Sequence, residues 1–72
     1  MKKNGQADRL LKHLESGKKI NRLKSFALLG IFELSARIID LERAGYVIQR
    51  ESIKIKNRFG EEIRVKEYWM EV

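Results

Sequence analysis

The residues of this chain that can do chemistry are mostly cations. Of its 72 residues, 16 are Lys or Arg and 10 are Asp or Glu, which gives a formal net charge of +6 and a pI near 9.9. Ammonium and guanidinium groups bind phosphate oxygens, so this balance favours a polyanionic partner. Residues 1–24 hold eight of the cations against Asp8 and Glu15, whereas residues 25–45 hold two cations against three acids. Attraction to phosphate must therefore come mainly from parts of the chain outside residues 25–45.

Side chains suited to catalysis or metal binding are scarce. There is no cysteine and a single histidine, His13. His13 lies beside the apolar stripe of a predicted helix, without the partners that a metal ligand or a general base requires. The sequence also lacks a Gly-rich phosphate-binding motif and paired carboxylates with a recognisable pocket. We predict a protein that is not an enzyme and that binds no metal or cofactor.

Two features of the sequence, its lack of cysteine and its lack of long apolar runs, concern the cellular compartment. The absence of cysteine excludes a disulfide framework and is compatible with a reducing cytoplasm. No apolar run approaches the length of a membrane span. We therefore expect a cytoplasmic protein that does not interact with membranes.

The first half of the chain predicts two helices. Four apolar residues recur at helical spacing from Gln6 to Ser16, which predicts the first helix. They are Ala7, Leu10, Leu11 and Leu14. Residues 18–20 can add a minimal strand, and Asn21 is a good N-cap for a second helix. The residues expected to face inward from that helix are Leu23, Phe26, Ala27 and Leu29.

The stretch Gly30–Tyr46 has the most regular pattern. Leu34, Ile38 and Leu41 form an i, i+4, i+7 stripe, which predicts the buried side of a third helix. Gly45 supplies the left-handed residue that ends a helix. The residues on the outward side are Phe32, Ala36, Ile39 and Arg43. Such an apolar outward side could contact thymine methyl groups, contact a protein or pack beneath a hairpin.

The last third of the chain predicts a β-hairpin. Tyr46–Lys56 is the first strand, Asn57–Gly60 the turn and Glu61–Val72 the returning strand. Apolar residues change parity halfway along the first strand, which predicts a bulge or bend near Arg50–Ser52. Five cations cluster around the hairpin tip: Lys54, Lys56, Arg58, Arg64 and Lys66.

The complete order is helix, short strand, helix, helix, strand, strand. This order predicts an α+β fold of the winged-helix type, in which three helices contain a helix-turn-helix unit and a C-terminal β-hairpin forms the wing. We expect a flexible basic arm at residues 1–5 and a single winged helix-turn-helix domain at residues 6–72. Two strands alone are marginal in water, but here they can pack on the helices.

The helix-turn-helix region resembles a known family, the small helix-turn-helix domain of many phage and prophage proteins. The segments that carry the resemblance are Leu23–Ile31, Glu33–Ile38, Asp40–Leu41 and Gly45–Tyr46. The similarity covers about residues 6–70, and its most specific part is the string around the Leu34–Leu41 stripe. The resemblance implies a winged-helix fold and DNA binding, in a bacterial cell or a phage-infected host cell.

The chain departs from the family pattern in its charges. Arg22 stands where the family has a proline, and Lys24 where it has an acid, at the start of the second helix. Glu33 and Glu42 replace basic residues at the two ends of the third helix, and Trp69 replaces a basic residue near the end of the last strand. Relative to the family pattern, positive charge is therefore lower on the third helix and higher at the start of the second.

We predict a sequence-specific or architectural binder of double-stranded DNA, with the third helix in the major groove. The predicted recognition-helix residues are Phe32, Glu33, Ser35, Ala36, Arg37, Ile39 and Arg43. The predicted contacts to the DNA backbone are Arg22 and Lys24. The wing is expected to bind phosphate or the minor groove through Lys54, Lys56, Arg58, Arg64 and Lys66. Arg37 has an equal alternative, a salt bridge to Glu33 four residues earlier.

Two roles fit such a domain: transcriptional control of phage genes, or excisionase-like bending of DNA. The alternative is a protein-interaction module. The acidic and apolar outer face of the third helix suits a homodimer contact or a groove on another protein, such as a host protein that it inhibits.

Overall fold

In the computed structural model, which describes residues 5–71, three helices precede a two-stranded antiparallel sheet. The helices are α1 (Gly5–Glu15), α2 (Arg22–Lys24, continued directly by a π-helical segment, Ser25–Leu29) and α3 (Leu34–Arg43). The strands are β1 (Gln49–Lys56) and β2 (Glu62–Trp69). This arrangement confirms the predicted fold class. Residues 1–4, which make up most of the predicted basic arm, and residue 72 lie outside the described residues.

Helix α1 supplies the first layer of the core. Leu10 and Leu14 are fully buried, as their spacing predicts, and Asp8 lies in the first turn, where the helix dipole favours an anion. The helix begins and ends one residue earlier than predicted. The Nε of Arg9 donates a hydrogen bond of 3.0 Å to the carbonyl oxygen of Leu29, which joins α1 to the end of the π-helical segment.

Helix α2 faces the core with polar side chains. Asn21 caps it as predicted, since its Oδ1 accepts a 3.0 Å hydrogen bond from the backbone N–H of Lys24. Asn21 and Ser25, four residues apart on one face, are both buried. The prediction of an apolar inward face was wrong for three residues, which are exposed: Leu23, Phe26 and Ala27. Leu29 alone of the predicted set packs at the edge of the core.

The turn between α2 and α3 explains the polar face. The Oγ of Ser25 lies 3.1 Å from the carbonyl oxygens of both Ile31 and Arg22, and it can donate its proton to either one. The chain reverses at Gly30, whose φ of +69° lies in the left-handed region, and the N–H of the fully buried Ile31 donates a 3.1 Å hydrogen bond back to the carbonyl oxygen of Ser25. A buried carbonyl needs a donor, so a hydroxyl is favoured here over an apolar side chain.

Helix α3 follows its sequence pattern closely. Leu34, Ile38 and Leu41 are buried, which confirms the predicted stripe. Gly45 has a φ of +106°, and the N–H of Tyr46 donates a 3.1 Å hydrogen bond back to the carbonyl oxygen of Leu41. The glycine thus ends the helix in the manner predicted.

The two strands pair residue by residue along their whole length. The predicted bulge near Arg50–Ser52 was wrong, because the ladder is continuous there. The strand begins at Gln49 and not at Tyr46, so the buried Ile48 precedes the strand. The change of parity therefore falls at the junction of loop and strand, where no bulge is needed.

The base of the hairpin is fixed to the helices. Ile20 and Tyr68 exchange two backbone hydrogen bonds of 2.9 and 2.8 Å, which reduces the predicted minimal strand to one residue. The Nζ of Lys19 lies 4.8 Å from the centre of the half-buried Trp69 ring. The main core cluster consists of Leu10, Leu14, Ile20, Ile31, Leu34, Ile38, Leu41, Ile48 and Tyr68. These contacts hold the wing in a defined direction relative to α3.

Candidate nucleic-acid interface

The outward side of α3 presents a mixed apolar and polar surface. Phe32, just before the helix, is 78% exposed and Ile39 is 46% exposed. The other exposed members of the predicted recognition set are Glu33, Ser35 and Arg43. Ala36 and Arg37 are half-buried at its borders. Most of this set is accessible to a partner without any rearrangement.

Phe32 forms an aromatic pair with Phe26. The two ring centres are 4.8 Å apart and the rings are inclined by 46°. Phe26 is 54% exposed, so the pair forms an apolar patch on the surface and not a core contact. Asn21 and Ser25 take the inward positions of α2, and Phe26, one residue further along the helix, points away from the core as a result. The prediction of an inward position for Phe26 did not allow for this pair.

Arg37 is engaged within the protein. Its Nε lies 3.0 Å from Oδ2 of Asp40, and its Nη1 donates a 3.4 Å hydrogen bond to Oε1 of Gln6 in α1. The ion pair predicted as an alternative role therefore exists, but with Asp40 three residues later and not with Glu33. In this conformation Arg37 joins α3 to α1 and its charge is balanced. A role in DNA binding stays a prediction for this residue.

A groove of about 430 Å³ lies between α3 and the wing. Arg22 at the start of α2, Ser35 in the first turn of α3 and Lys66 in β2 line it from three elements. The other lining residues are Phe32, Glu33, Leu34, Arg64, Val65 and Tyr68. Members of all three predicted contact groups, recognition helix, backbone and wing, therefore share one concave surface.

Lys24 lies apart from that groove. It lines a second, more apolar depression of about 790 Å³ together with Lys18, Lys19 and Leu28. Lys24 and Arg22 were predicted to contact DNA together because both stand at the start of α2, but the structure places them beside different grooves. Of the two, only Arg22 shares a groove with α3.

The wing has one cationic face. In an antiparallel ladder, directly opposed residues point to the same side, and so do alternate residues of one strand. Lys54 is opposite Arg64, and Lys66 is opposite Ser52. The residues on this side that we call the cationic face of the wing are Arg50, Lys54, Lys56, Arg64 and Lys66, with Glu62 as the single acid. The opposite side has the apolar residues Ile53, Ile55, Ile63 and Val65.

Most cations of the wing are free of acidic partners. Within residues 5–71, the ion pairs involve Lys19, Arg37 and Arg50, the last bonded to Glu42. In the same region, the five wing residues predicted to bind DNA form no ion pair; they are Lys54, Lys56, Arg58, Arg64 and Lys66. All five are exposed. Their charges are available to an external anion.

A family model described as a winged helix-turn-helix domain matches residues 5–72, nearly the whole chain. The chain belongs to the winged helix-turn-helix domain family. No curated protein and no solved structure matches it. Winged helix-turn-helix domains are typically non-enzymatic DNA-binding modules, so this membership suggests DNA as the partner. α2 and α3 are then the helix-turn-helix unit, and the β1–β2 hairpin is the wing.

Neither a metal-binding cluster nor a membrane-spanning helix is found in residues 5–71 of the winged helix-turn-helix domain. In residues 5–71, no three His, Cys, Asp or Glu side chains come together in a way that could hold a metal ion. None of the helices in that range is long and apolar enough to cross a membrane. His13 is half-buried in α1, with its Nε2 3.3 Å from the carbonyl oxygen of Lys19, as expected of a structural residue.

Sequence reasoning missed two residues of this winged surface. Arg50 belongs to the cationic face, and its parity with Lys54 and Lys56 could have identified it, had the strand been expected to be regular. Phe59, at the wing tip, is 79% exposed. Its place in the turn was predicted, but only the cations around it were considered as contacts.

Proposed function

We propose that this domain binds double-stranded DNA, as a phage or prophage transcriptional regulator or as an excisionase-like factor that bends DNA. The observation that supports this best is the groove in which Arg22, Ser35 and Lys66 meet, since it joins the start of a recognition helix to the cationic face of the wing. α3 enters the major groove, and the wing follows the phosphate backbone towards the adjacent minor groove.

Base contacts come from the first turns of α3. Glu33 accepts a hydrogen bond from a cytosine amino group. The Ser35 hydroxyl can donate to an acceptor or accept from a donor on a base edge. The apolar contacts to thymine methyl groups come from Phe32, Ala36 and Ile39. Arg43 at the end of the helix, and Arg37 once released from Asp40, add positive charge close to the phosphates.

Affinity comes mainly from cations outside α3. Arg22, and Lys24 from its own side of α2, contact the DNA backbone, and the wing adds Lys54, Lys56, Arg58, Arg64 and Lys66. The exposed Glu33 repels phosphate, so α3 distinguishes between base sequences while the wing attracts the phosphate backbone.

The test is a titration of DNA binding at several salt concentrations, in which fluorescence anisotropy of labelled random-sequence duplexes reports the bound fraction. With ~5–7 phosphate contacts, the slope of log K against log salt should be about −4.5 to −6.3. The single variants Lys54→Gln and Arg64→Gln should each lower affinity and reduce the magnitude of that slope by about one, because each removes one contact.

Lys12→Gln is the matched control, because Lys12 is an exposed lysine of α1 outside the proposed interface. It should leave the slope unchanged. Equal effects of Lys12→Gln and Lys54→Gln would show non-specific charge attraction in place of a defined wing contact. An affinity of the unmodified protein for DNA that does not change with salt concentration would contradict the proposal.

A protein-interaction module is the second candidate, favoured by the exposed Phe26–Phe32 pair. Together with Ile39 it forms an apolar surface beside Glu33, which a homodimer partner or an inhibited host protein could cover.

A further inference from the structure

The tip of the wing holds an aromatic side chain in the open. At 79% exposure, Phe59 is the most exposed large apolar side chain in residues 5–71. Its neighbour Arg58 and the nearby Lys56 are exposed cations. The ring is not part of the core, so a contribution to folding stability does not explain its position at the tip of the wing.

The turn that presents this ring is well defined. The Oδ1 of Asn57 accepts hydrogen bonds from the N–H groups of Phe59 and Glu61, at 2.9 and 3.1 Å, while its Nδ2 donates a 2.9 Å bond to the Glu61 carboxylate. Gly60 has a φ of +80°, which only a glycine adopts easily. The five residues 57–61 thus form a compact tip whose backbone is held in one shape.

The distance from α3 to this tip matches the spacing of the DNA grooves. Lys66 lines the groove beside the start of α3, β2 runs four residues from there back to Glu62, and the turn of residues 57–61 lies beyond it. At about 3.3 Å per residue the strand alone covers ~13 Å, and one or two residues' length of turn brings the reach to roughly 17–20 Å. Half a helical turn of B-DNA, from a major groove to the next minor groove, is about 17 Å. A wing anchored beside α3 therefore reaches the neighbouring minor groove with its tip.

We infer that Phe59 is a wedge that the wing tip inserts from the minor groove between two base pairs, so that the domain bends the DNA it binds. Proteins that bend DNA from the minor groove place an apolar side chain between base steps and hold the flanking phosphates with cations. Phe59 supplies the apolar group, while Arg58 and the cationic face of the wing supply the phosphate contacts. Flexible TA and CA/TG steps are the preferred points of insertion. This inference rests on the proposed DNA-binding function and specifies how the wing takes part in it.

The experiment measures bending and binding on the same molecules. Duplexes of about 30 base pairs, with a random-sequence core containing TA and CA/TG steps, carry a donor and an acceptor dye at their ends. At saturating protein, energy transfer should rise by an amount corresponding to a bend of about 20–90°. Phe59→Ala should lose that rise while its affinity falls by about tenfold or less, because phosphate contacts dominate affinity. Phe59→Leu should keep most of it, since leucine can also act as a wedge.

Two further variants isolate the wedge. Val47→Ala removes another apolar side chain that is 73% exposed, outside the wing, and should bend DNA like the unmodified protein. Arg58→Gln should weaken binding and reduce the salt slope while keeping the bend at saturation.

Equal bending by the unmodified protein and Phe59→Ala would overturn the inference. So would binding of the unmodified protein without any bend. In both cases the proposed DNA binding would stand. Failure of the unmodified protein to bind at low salt would overturn both.

Discussion

Individual cations in this domain serve either the fold or the partner. Arg37 is held by Asp40, Arg50 by Glu42, and Lys19 lies 3.9 Å from Glu67. The tip of the wing has no such pairing within residues 5–71. Exposed ion pairs contribute little to stability, so pairing matters here mainly because it lowers the charge that each cation can offer to phosphate. Unpaired cations are concentrated where the proposed function needs them.

At the same scale, Ser25 is the polar residue on which the helix-turn-helix turn depends. Ser25→Ala should destabilise the domain by about 1–3 kcal/mol, because the fully buried Ile31 keeps its carbonyl group but loses a hydrogen-bond donor. Urea denaturation followed by circular dichroism measures the change. Ser35→Ala, at an exposed position of α3, should shift stability by no more than about 0.5 kcal/mol. Equal shifts would mean that the buried hydrogen bond is unimportant.

At the scale of elements, the turn between α2 and α3 sets the angle at which the recognition helix is presented. Gly30→Ala should cost about 1–2 kcal/mol, because alanine is strained at a φ of +69°. The cost is one of backbone conformation alone, since the nearest atom to an added Cβ is the end of the Arg9 side chain at 4.0 Å. Gly30→Asn should cost less, because asparagine tolerates this region.

The control for this prediction is Gly5→Ala, at a helical position whose added Cβ would make only an ordinary 3.6 Å contact with Arg9. Its effect should be small or stabilising. The measurement is again the urea midpoint. A loss for Gly30→Ala no larger than for Gly5→Ala would contradict the assignment of strain to this turn.

The elements differ in how well the sequence predicts them, for physical reasons. Leu34, Ile38 and Leu41 define α3 because an apolar stripe and a glycine stop act locally. The prediction for the inward face of α2 was wrong because that face includes Ser25, which provides a hydrogen-bond donor for the buried carbonyl group of Ile31. The spacing of apolar residues carries no information about such a requirement. The wing was found from its turn residues. Its register depends on tertiary packing, because Ile48 precedes the strand and packs in the core.

The candidate site was predictable only in part. Charge counts identified the cations of the wing, because a hairpin tip is exposed whatever its register. The meeting of Arg22 with Ser35 and Lys66 in one groove depends on tertiary packing. The separation of Arg22 from Lys24 was predictable, because residues two positions apart on a helix point to nearly opposite sides, about 200° apart.

At the scale of the whole molecule, the proposed function assigns attraction to phosphate and discrimination between bases to different parts. The described residues extend over 41 × 26 × 19 Å, and this elongation suits a wing that reaches beyond the helices. α3 presents apolar and acidic groups, while the cationic face belongs to the wing. A surface of this kind can hold DNA by the wing and read it by the helix, or it can place the apolar part of α3 against a second protein.

The double variant Phe32→Ala/Ile39→Ala distinguishes those two uses. Both side chains are exposed, at 78% and 46%, so the fold should survive with only a small loss of stability from the Phe26–Phe32 contact and the partly covered Ile39. If α3 reads DNA, affinity for the preferred duplex from a random-sequence selection should fall about tenfold or more, as expected when base contacts are lost. The molar mass by light scattering should stay the same. An unchanged DNA affinity together with the dissociation of a dimer or a complex would instead assign this face to a protein. Val47→Ala, which removes exposed apolar surface elsewhere, should change neither quantity.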